Sequence, residues 1–237
     1  MSPHHIEVDD IPKWVELNDL LATGAAETIV LNGSGENHFA VLDPLEETLF
    51  VFGTITRQSI DWLNYHSNRF SKIIMEEDQK PGILAPFMNW TVKSLGVFTN
   101  DSSKLEPISQ PHRVGLVDHE MIAGAGLDDE LKTELLSSLA RSPVFATFID
   151  ERPVSFCYAA SQSARFWDVS VDTLVEFRRR GCAQQCVLHA MNYMALQGKQ
   201  VVWQAFEDNV PSWNLAGRVG LIQTARLLYL EKLQLIR

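Results

Sequence analysis

A two-residue rhythm runs through residues 166–173. Trp167, Val169, Val171 and Thr173 fall on one side and Asp168, Ser170 and Asp172 on the other. Such alternation predicts a strand with one apolar and one polar face. Upstream, PVFATFIDERPVSFCYAAS (143–161) reads as a hairpin turning at DERP. Downstream, GCAQQCVLHAMNYMALQG (181–198) has helical spacing and closes on Gly198, and KQVVWQAF (199–206) reads as a buried strand. NVPSWNLAGRVG (209–220) reads as a short helix opened by Asn209 and closed by Gly220, and the last residues supply one or two strands. At the start of this region HRVGLVDHEMI (112–122) is strand-like, and DDELKTELLSSLARS (128–142) is an amphipathic helix opening at Asp128 or Asp129.

The first half has its own pattern. DDIPKWVELNDLLATG (9–24) predicts a helix with Asp10 near its cap, Pro12 in its first turn and Gly24 at its end. Two strands around a Gly-rich turn follow in ETIVLNGSGENHFAVLD, then a strand (ETLFVFG), a helix (TRQSIDWLNYHSN) and a short strand (SKIIMEE). The NGSG stretch lacks the lysine and helix of a phosphate loop and reads as a hairpin turn. FTNDSSKLEPISQPHR (98–113) is polar, aperiodic and holds two prolines. It divides an N-terminal α/β domain, 1–105, from a second domain, 112–237. The fold class is α/β (α+β): a mixed, mostly antiparallel sheet flanked by helices.

Composition narrows the function classes. The 237 residues are 46% hydrophobic and 21% charged, which is ordinary for a globular chain. No apolar run approaches the roughly 20 residues of a membrane span. No secretory signal is visible in MSPHHIEVDD, so a cytoplasmic location is expected, where thiols stay reduced. The three cysteines (Cys157, Cys182, Cys186) then read as small buried thiols rather than a metal site or disulfide. Net charge is −10, and residues 1–110 carry most of it, with 16 Asp and Glu against 7 Lys and Arg. That balance argues against nucleic acid there; it permits a cationic partner or substrate, but a solubilising acidic surface is the favoured reading.

The junction after the alternating strand carries candidate chemistry. Arg178-Arg179-Arg180-Gly181 precedes the helix, where unpaired backbone N–H groups and the macrodipole favour an anion. Gly181 lets a ligand approach the backbone, Ala183 keeps the first turn uncrowded, and arginine can grip phosphate. From the loop alone, a phosphate cradle and a solvated basic loop stand level.

Two motifs in order break the tie. Arg178-Arg179-Arg180-Gly181-Cys182-Ala183 resembles the Arg/Gln-x-x-Gly-x-Gly/Ala fingerprint of the GNAT N-acetyltransferase superfamily, and Asn209, Ser212, Leu215 and Gly220-Leu221 resemble its later Asn-x-x-Ser-x-x-Leu helix. The resemblance covers roughly 112–237. It implies an acyl-CoA-dependent N-acyltransferase, with acetyl-CoA as co-substrate and a small-molecule amine as acceptor. Carried over, Val169, Val171, Asp172 and Thr173 line the pantetheine arm and thioester. Arg178, Arg179, Arg180, Gly181, Cys182, Ala183 and Gln184 hold the diphosphate, and Asn209 and Ser212 stand beside the arm. Many members of that superfamily use a tyrosine directly after the leucine, and this chain has Ala216. Tyr229 on the following strand is a poor substitute by position. Asp168 is the first candidate base, with His119 and Glu120 on the domain's first strand as others, and water alone can suffice. His189 reads as packing or surface. The missing tyrosine also admits a catalytically silent CoA-binding module. Residues 38–77 repeat a strand-helix-strand order that a degenerate second copy of the fold would have. The final hairpin looks short, so either the N-terminal half or a second copy, as in a homodimer, completes the sheet.

Overall fold

The computed structural model describes residues 8–31, 39–79, 87, 89–100 and 112–233. The NGSG turn and most of the proposed 98–113 boundary lie outside them. The strands are β1 (Glu27–Val30), β2 (Phe39–Asp43), β3 (Thr48–Phe52), β4 (Lys72–Glu76), β5 (Trp90–Thr99), β6 (Arg113–Leu116), β7 (Phe145–Ile149), β8 (Arg152–Gln162), β9 (Phe166–Thr173), β10 (Gln200–Phe206) and β11 (Ile222–Lys232). The helices are α1 (Val15–Thr23), α2 (Arg57–Tyr65), α3 (His119–Gly124), α4 (Asp129–Leu139), α5 (Cys182–Leu196) and α6 (Val210–Arg218).

Among the described residues, eleven strands form one sheet in the order β1-β2-β3-β4-β11-β5-β10-β9-β8-β7-β6. Only β3–β4 and β9–β10 are parallel; every other pair is antiparallel. Each parallel pair is bridged by one helix, α2 or α5, because parallel neighbours need a crossover. The two halves interleave at the centre. β5, from the N-terminal half, pairs with β10, while β11, from the C-terminal half, pairs with β4, and β5 and β11 pair with each other over almost their full length. The short final hairpin is therefore completed within the chain by β5.

The alternation along each strand sorts the helices to two faces. Trp167 and Val169 pack with Cys186, Val187 and Ala190 of α5, while α2 covers Leu49, Val51, Ile73 and Met75 on the same face. Trp14, Val15 and Leu17 cover the other face over Phe50, Ile74 and Leu95, and α3 and α4 extend that layer over Ala146, Phe156 and Tyr158. The Trp213 indole of α6 packs against β5 at Gly96. A Cβ there would stand 2.6 Å from the indole, so only glycine admits this contact.

Several expectations change. β5 is a strand the sequence pattern does not announce, since Lys93, Ser94 and Gly96 interrupt its apolar run. Phe98 and Thr99, read as linker, end it. Only Arg113–Leu116 of the 112–122 stretch is strand. Asp118 then caps α3, accepting the Met121 N–H at 2.9 Å, so His119 and Glu120 sit exposed on a helix. The first helix opens with a 3-10 turn, Pro12–Trp14, that no side chain caps. Asp10 instead accepts the Arg165 N–H at 3.0 Å. DERP turns with Asp150 and Glu151 both at positive φ, 47° and 61°, as a two-residue hairpin turn requires.

Candidate active site

β9 and β10 hold parallel register at Phe166↔Gln200, Trp167↔Val201 and Val202↔Asp168, and there the pairing ends. β9 continues to Thr173 against β8, and β10 continues to Phe206 against β5. The two strands part, and among the described residues Val169–Thr173 has no strand partner on the β10 side. An extended ligand can bond to such an edge as an added strand does.

The loop beyond this split is fixed from beneath. The Arg178 Nε donates to the Thr173 carbonyl at 3.1 Å, and Thr147 Oγ1 on β7 donates to the Cys182 carbonyl at 2.9 Å. Arg179 has φ 61° and Gly181 φ 81°, so the chain turns sharply into α5. Gly181 is the N-cap, and no side chain caps the helix. The N–H groups of the first turn thus have no acceptor within the helix. Arg178, Arg179 and Arg180 are exposed beside them. Among the described residues, a Cβ on Gly181 would meet only Gln185. The sequence-predicted cradle residues Arg178, Arg179, Arg180, Gly181, Cys182, Ala183 and Gln184 are contiguous around this turn. Their donors and charges fit a diphosphate.

Asn209 and Ser212 have partners of their own. Asn209 caps α6, accepting the Ser212 N–H at 3.3 Å, and Ser212 Oγ accepts the Trp203 indole N–H at 2.9 Å. Asp172 turns away from α5. Its Oδ2 lies 2.9 Å from the Tyr158 hydroxyl, which lies 2.6 Å from Glu134 Oε2. Burial first, then Glu134, raises the Asp172 pKa, while Tyr158 and Arg178 oppose the rise. Cys157, Cys182 and Cys186 are all buried and free. Burial pushes the Cys186 thiol up to about 12, which leaves it unreactive. His189 packs edge-on against Phe145 at 5.7 Å, and burial lowers its pKa.

Asp168 occupies the fork of the split, on the α1 face. It lines a cavity of about 710 Å³ together with Glu16, Gln204, Phe206 and Tyr229. Its Oδ1 is sealed from solvent without a hydrogen-bond partner. Burial and then the neighbouring Glu16 push its pKa well up, and the Gln204 backbone N–H favours the charged form. Glu16 is pushed up to about 7, chiefly by burial, then by Asp43, with Lys72 opposing. Neither His119 nor Glu120 lines this cavity. Ala216 is fully buried, so the site has no phenol at that position. Tyr229 does line the cavity, edge-on to Phe206 at 4.9 Å, with its pKa raised to about 12 by burial and by Glu231.

Glu16 is the residue sequence reasoning missed, and Tyr229, set aside there as a poor substitute by position, lines the cavity. Glu16, Asp19, Leu20 and Thr23 all face the cavity, a spacing of three, four and seven along α1. That polar stripe is the signal, but alone it looks like a solvated face.

No protein-family model matches the chain, and no curated protein matches it by sequence. Solved structures do match. A GCN5-related N-acetyltransferase-like protein from Streptococcus suis is similar at 16% identity and TM-score 0.66, covering 94% of both chains. A GCN5-related N-acetyltransferase from Kribbella flavida is similar at 13% identity and TM-score 0.64, covering 93% of both. A tandem GNAT protein from the clavulanic acid biosynthesis pathway is similar at 12% identity and TM-score 0.55, covering 94% of this chain and 95% of its own. At these identities the likeness is one of fold. The chain has the GNAT acetyltransferase fold, and the similarity to the tandem protein runs through both halves.

Proposed function

We propose that the protein is an acyl-CoA-dependent N-acyltransferase that moves an acetyl group from acetyl-CoA to a primary amine of a small molecule. One observation carries the reading: β9 and β10 part beyond Asp168 and Val202, directly before an uncapped helix that begins at a left-handed Gly181. Such a split offers a strand edge for a pantetheine arm and leads to donors for a diphosphate. GNAT acetyltransferases share the fold, which supports the activity at the level of a class.

The step is a direct attack. The neutral amine nitrogen bonds to the thioester carbonyl carbon, the C–S bond breaks, and the CoA thiolate leaves with the electron pair and takes up a proton. The proton lost by the amine goes to a carboxylate. Asp168 is the carboxylate at the fork, and Glu16 shares its cavity with a pKa near the working range of a general base. Tyr229 is the hydroxyl on the same cavity wall, available to a leaving thiolate that Ala216 cannot serve.

Thiol release from acetyl-CoA across an amine panel tests the activity. Release with any amine refutes the silent CoA-binding module, which the buried Ala216 otherwise favours. Acetyl-CoA binding without release from any amine would favour that module. No binding at millimolar acetyl-CoA would overturn both readings.

A further inference from the structure

The cavity on the α1 face is walled by charge drawn from both halves of the chain. Carboxylates come from Glu16 and Asp19 on α1, Asp43 ending β2, Glu46 in the next turn and Asp168 on β9. The cations are Lys72 on β4 and Arg141 beyond α4, and both are engaged. Lys72 Nζ lies 3.3 Å from Glu46 Oε2, and Arg141 Nη1 lies 2.8 Å from Asp19 Oδ2. Asp43 Oδ1 accepts the Leu45 and Glu46 N–H groups at 2.9 and 3.2 Å. Among the described residues, neither Glu16 nor Asp168 has an ion-pair partner. Phe50, Phe206 and Tyr229 add aromatic surface to the same wall.

A second observation is independent of the charges. A bulge at Ala160 sets Ser161 opposite Asp168 across the β8–β9 pair, so both face the cavity. Ser161 is only 6% exposed, and its Oγ, like Asp168 Oδ1, has no hydrogen-bond partner. Buried polar atoms are nearly always satisfied. Two orphans side by side on one wall mark where a ligand's donor belongs.

We infer that this cavity binds an amine carrying a second cationic centre, a diamine or polyamine, with one nitrogen at Asp168 and Ser161 and the other between Glu16 and Asp43. A volume of about 710 Å³ holds such a chain. The aromatic surface suits both its methylenes and its ammonium groups. The inference rests on the acyl-transfer reading only for which nitrogen reacts. Binding also moves protons. Burial holds Glu16 protonated up to about pH 7 and raises Asp168 as well. An arriving dication favours both carboxylates in their charged forms, so it expels protons below that pH.

Isothermal titration of the full chain, without acyl-CoA, tests this with diaminobutane, spermidine and the monoamine butylamine as probes. Run at about pH 6.5 in two buffers of different ionisation enthalpy, it counts protons directly. The two polycationic probes are expected to bind at least about tenfold more tightly than butylamine and to release protons. Glu16→Gln, which keeps the side chain's shape, should lose the proton release from that position and about tenfold in affinity for the diamine. Equal affinity for diamine and monoamine, or no saturable heat from any probe, overturns the inference. Thiol release separates it from the activity. Polyamine binding with no thiol release from any amine of the panel leaves the pocket standing and defeats acyl transfer. Release with butylamine while neither diaminobutane nor spermidine binds does the reverse.

Discussion

In the C-terminal half, β9 and β10 hold register for three residue pairs and then part; in the N-terminal half, β3 and β4 hold it for four pairs, almost the whole of both strands. The helices that bridge them differ in the same sense. α5 starts at Gly181 with no side-chain cap, after an exposed run of three arginines. α2 starts at Thr56 inside a capping box. Thr56 Oγ1 accepts the Ser59 N–H at 3.2 Å, and Ser59 Oγ accepts the Thr56 N–H at 3.3 Å. The preceding Ile55 N–H goes to Gln79 Oε1 at 2.9 Å. Both β-α-β units share one topology, yet in one the donors are spent on the protein's own side chains and in the other no side chain caps them. The unit alone therefore makes no anion site. The proposed anion site rests on the open strand edge together with the absent cap, and among the described residues these coincide only in the C-terminal half.

The sharpest way to break this comparison is at the two glycines before the helices, Gly53 at φ 79° and Gly181 at φ 81°. Valine at either position costs about 1–2 kcal/mol of backbone strain or more. Gly181→Val should also weaken acetyl-CoA binding on the order of 100-fold, the loss of about two charge-assisted hydrogen bonds. Gly53→Val should leave binding unchanged. Titration of both folded variants, checked by circular dichroism, decides.

The cavity joins the halves, and Glu16 reports on it through stability. Its folded pKa lies above the ordinary value of 4.5, at about 7, so the folded state holds the proton more tightly than the unfolded chain does. Stability from this group is therefore fully present below about pH 4.5 and falls as pH rises to about 7. Glu16→Gln removes that dependence. It should gain on the order of 2 kcal/mol relative to wild type at about pH 8, and close to nothing at about pH 4.5. Urea unfolding at the two pH values measures it.

A smaller effect belongs to the capped helix. Thr56→Ala should cost about 1 kcal/mol in urea unfolding, with acetyl-CoA affinity untouched. A gain of a second acetyl-CoA site in that variant would mean that the cap alone keeps the N-terminal unit closed.

What could be read from the sequence was local. Arg178 to Ala183 and Asn209 to Ser212 carry their meaning in spacing, and the alternation of 166–173 put Asp168 on the face opposite Trp167 and Val169, as the structure does. Non-local features were not legible. Nothing in Trp90–Thr99 announces that it crosses to β10, because a strand's pattern describes its own faces and not its neighbour. The role of Gly96 needs Trp213 from more than a hundred residues away. Ser161 becomes an orphan opposite Asp168 through a one-residue bulge. His119 and Glu120 read as strand residues because Val114, Leu116 and Val117 precede them, but the Asp118 cap starts a helix at that point.

The number of acetyl-CoA molecules bound per chain tests the contrast between the two units most directly. Isothermal titration of the wild-type protein should give one site per chain, at the split between β9 and β10. Two sites per chain, or none, would contradict the account.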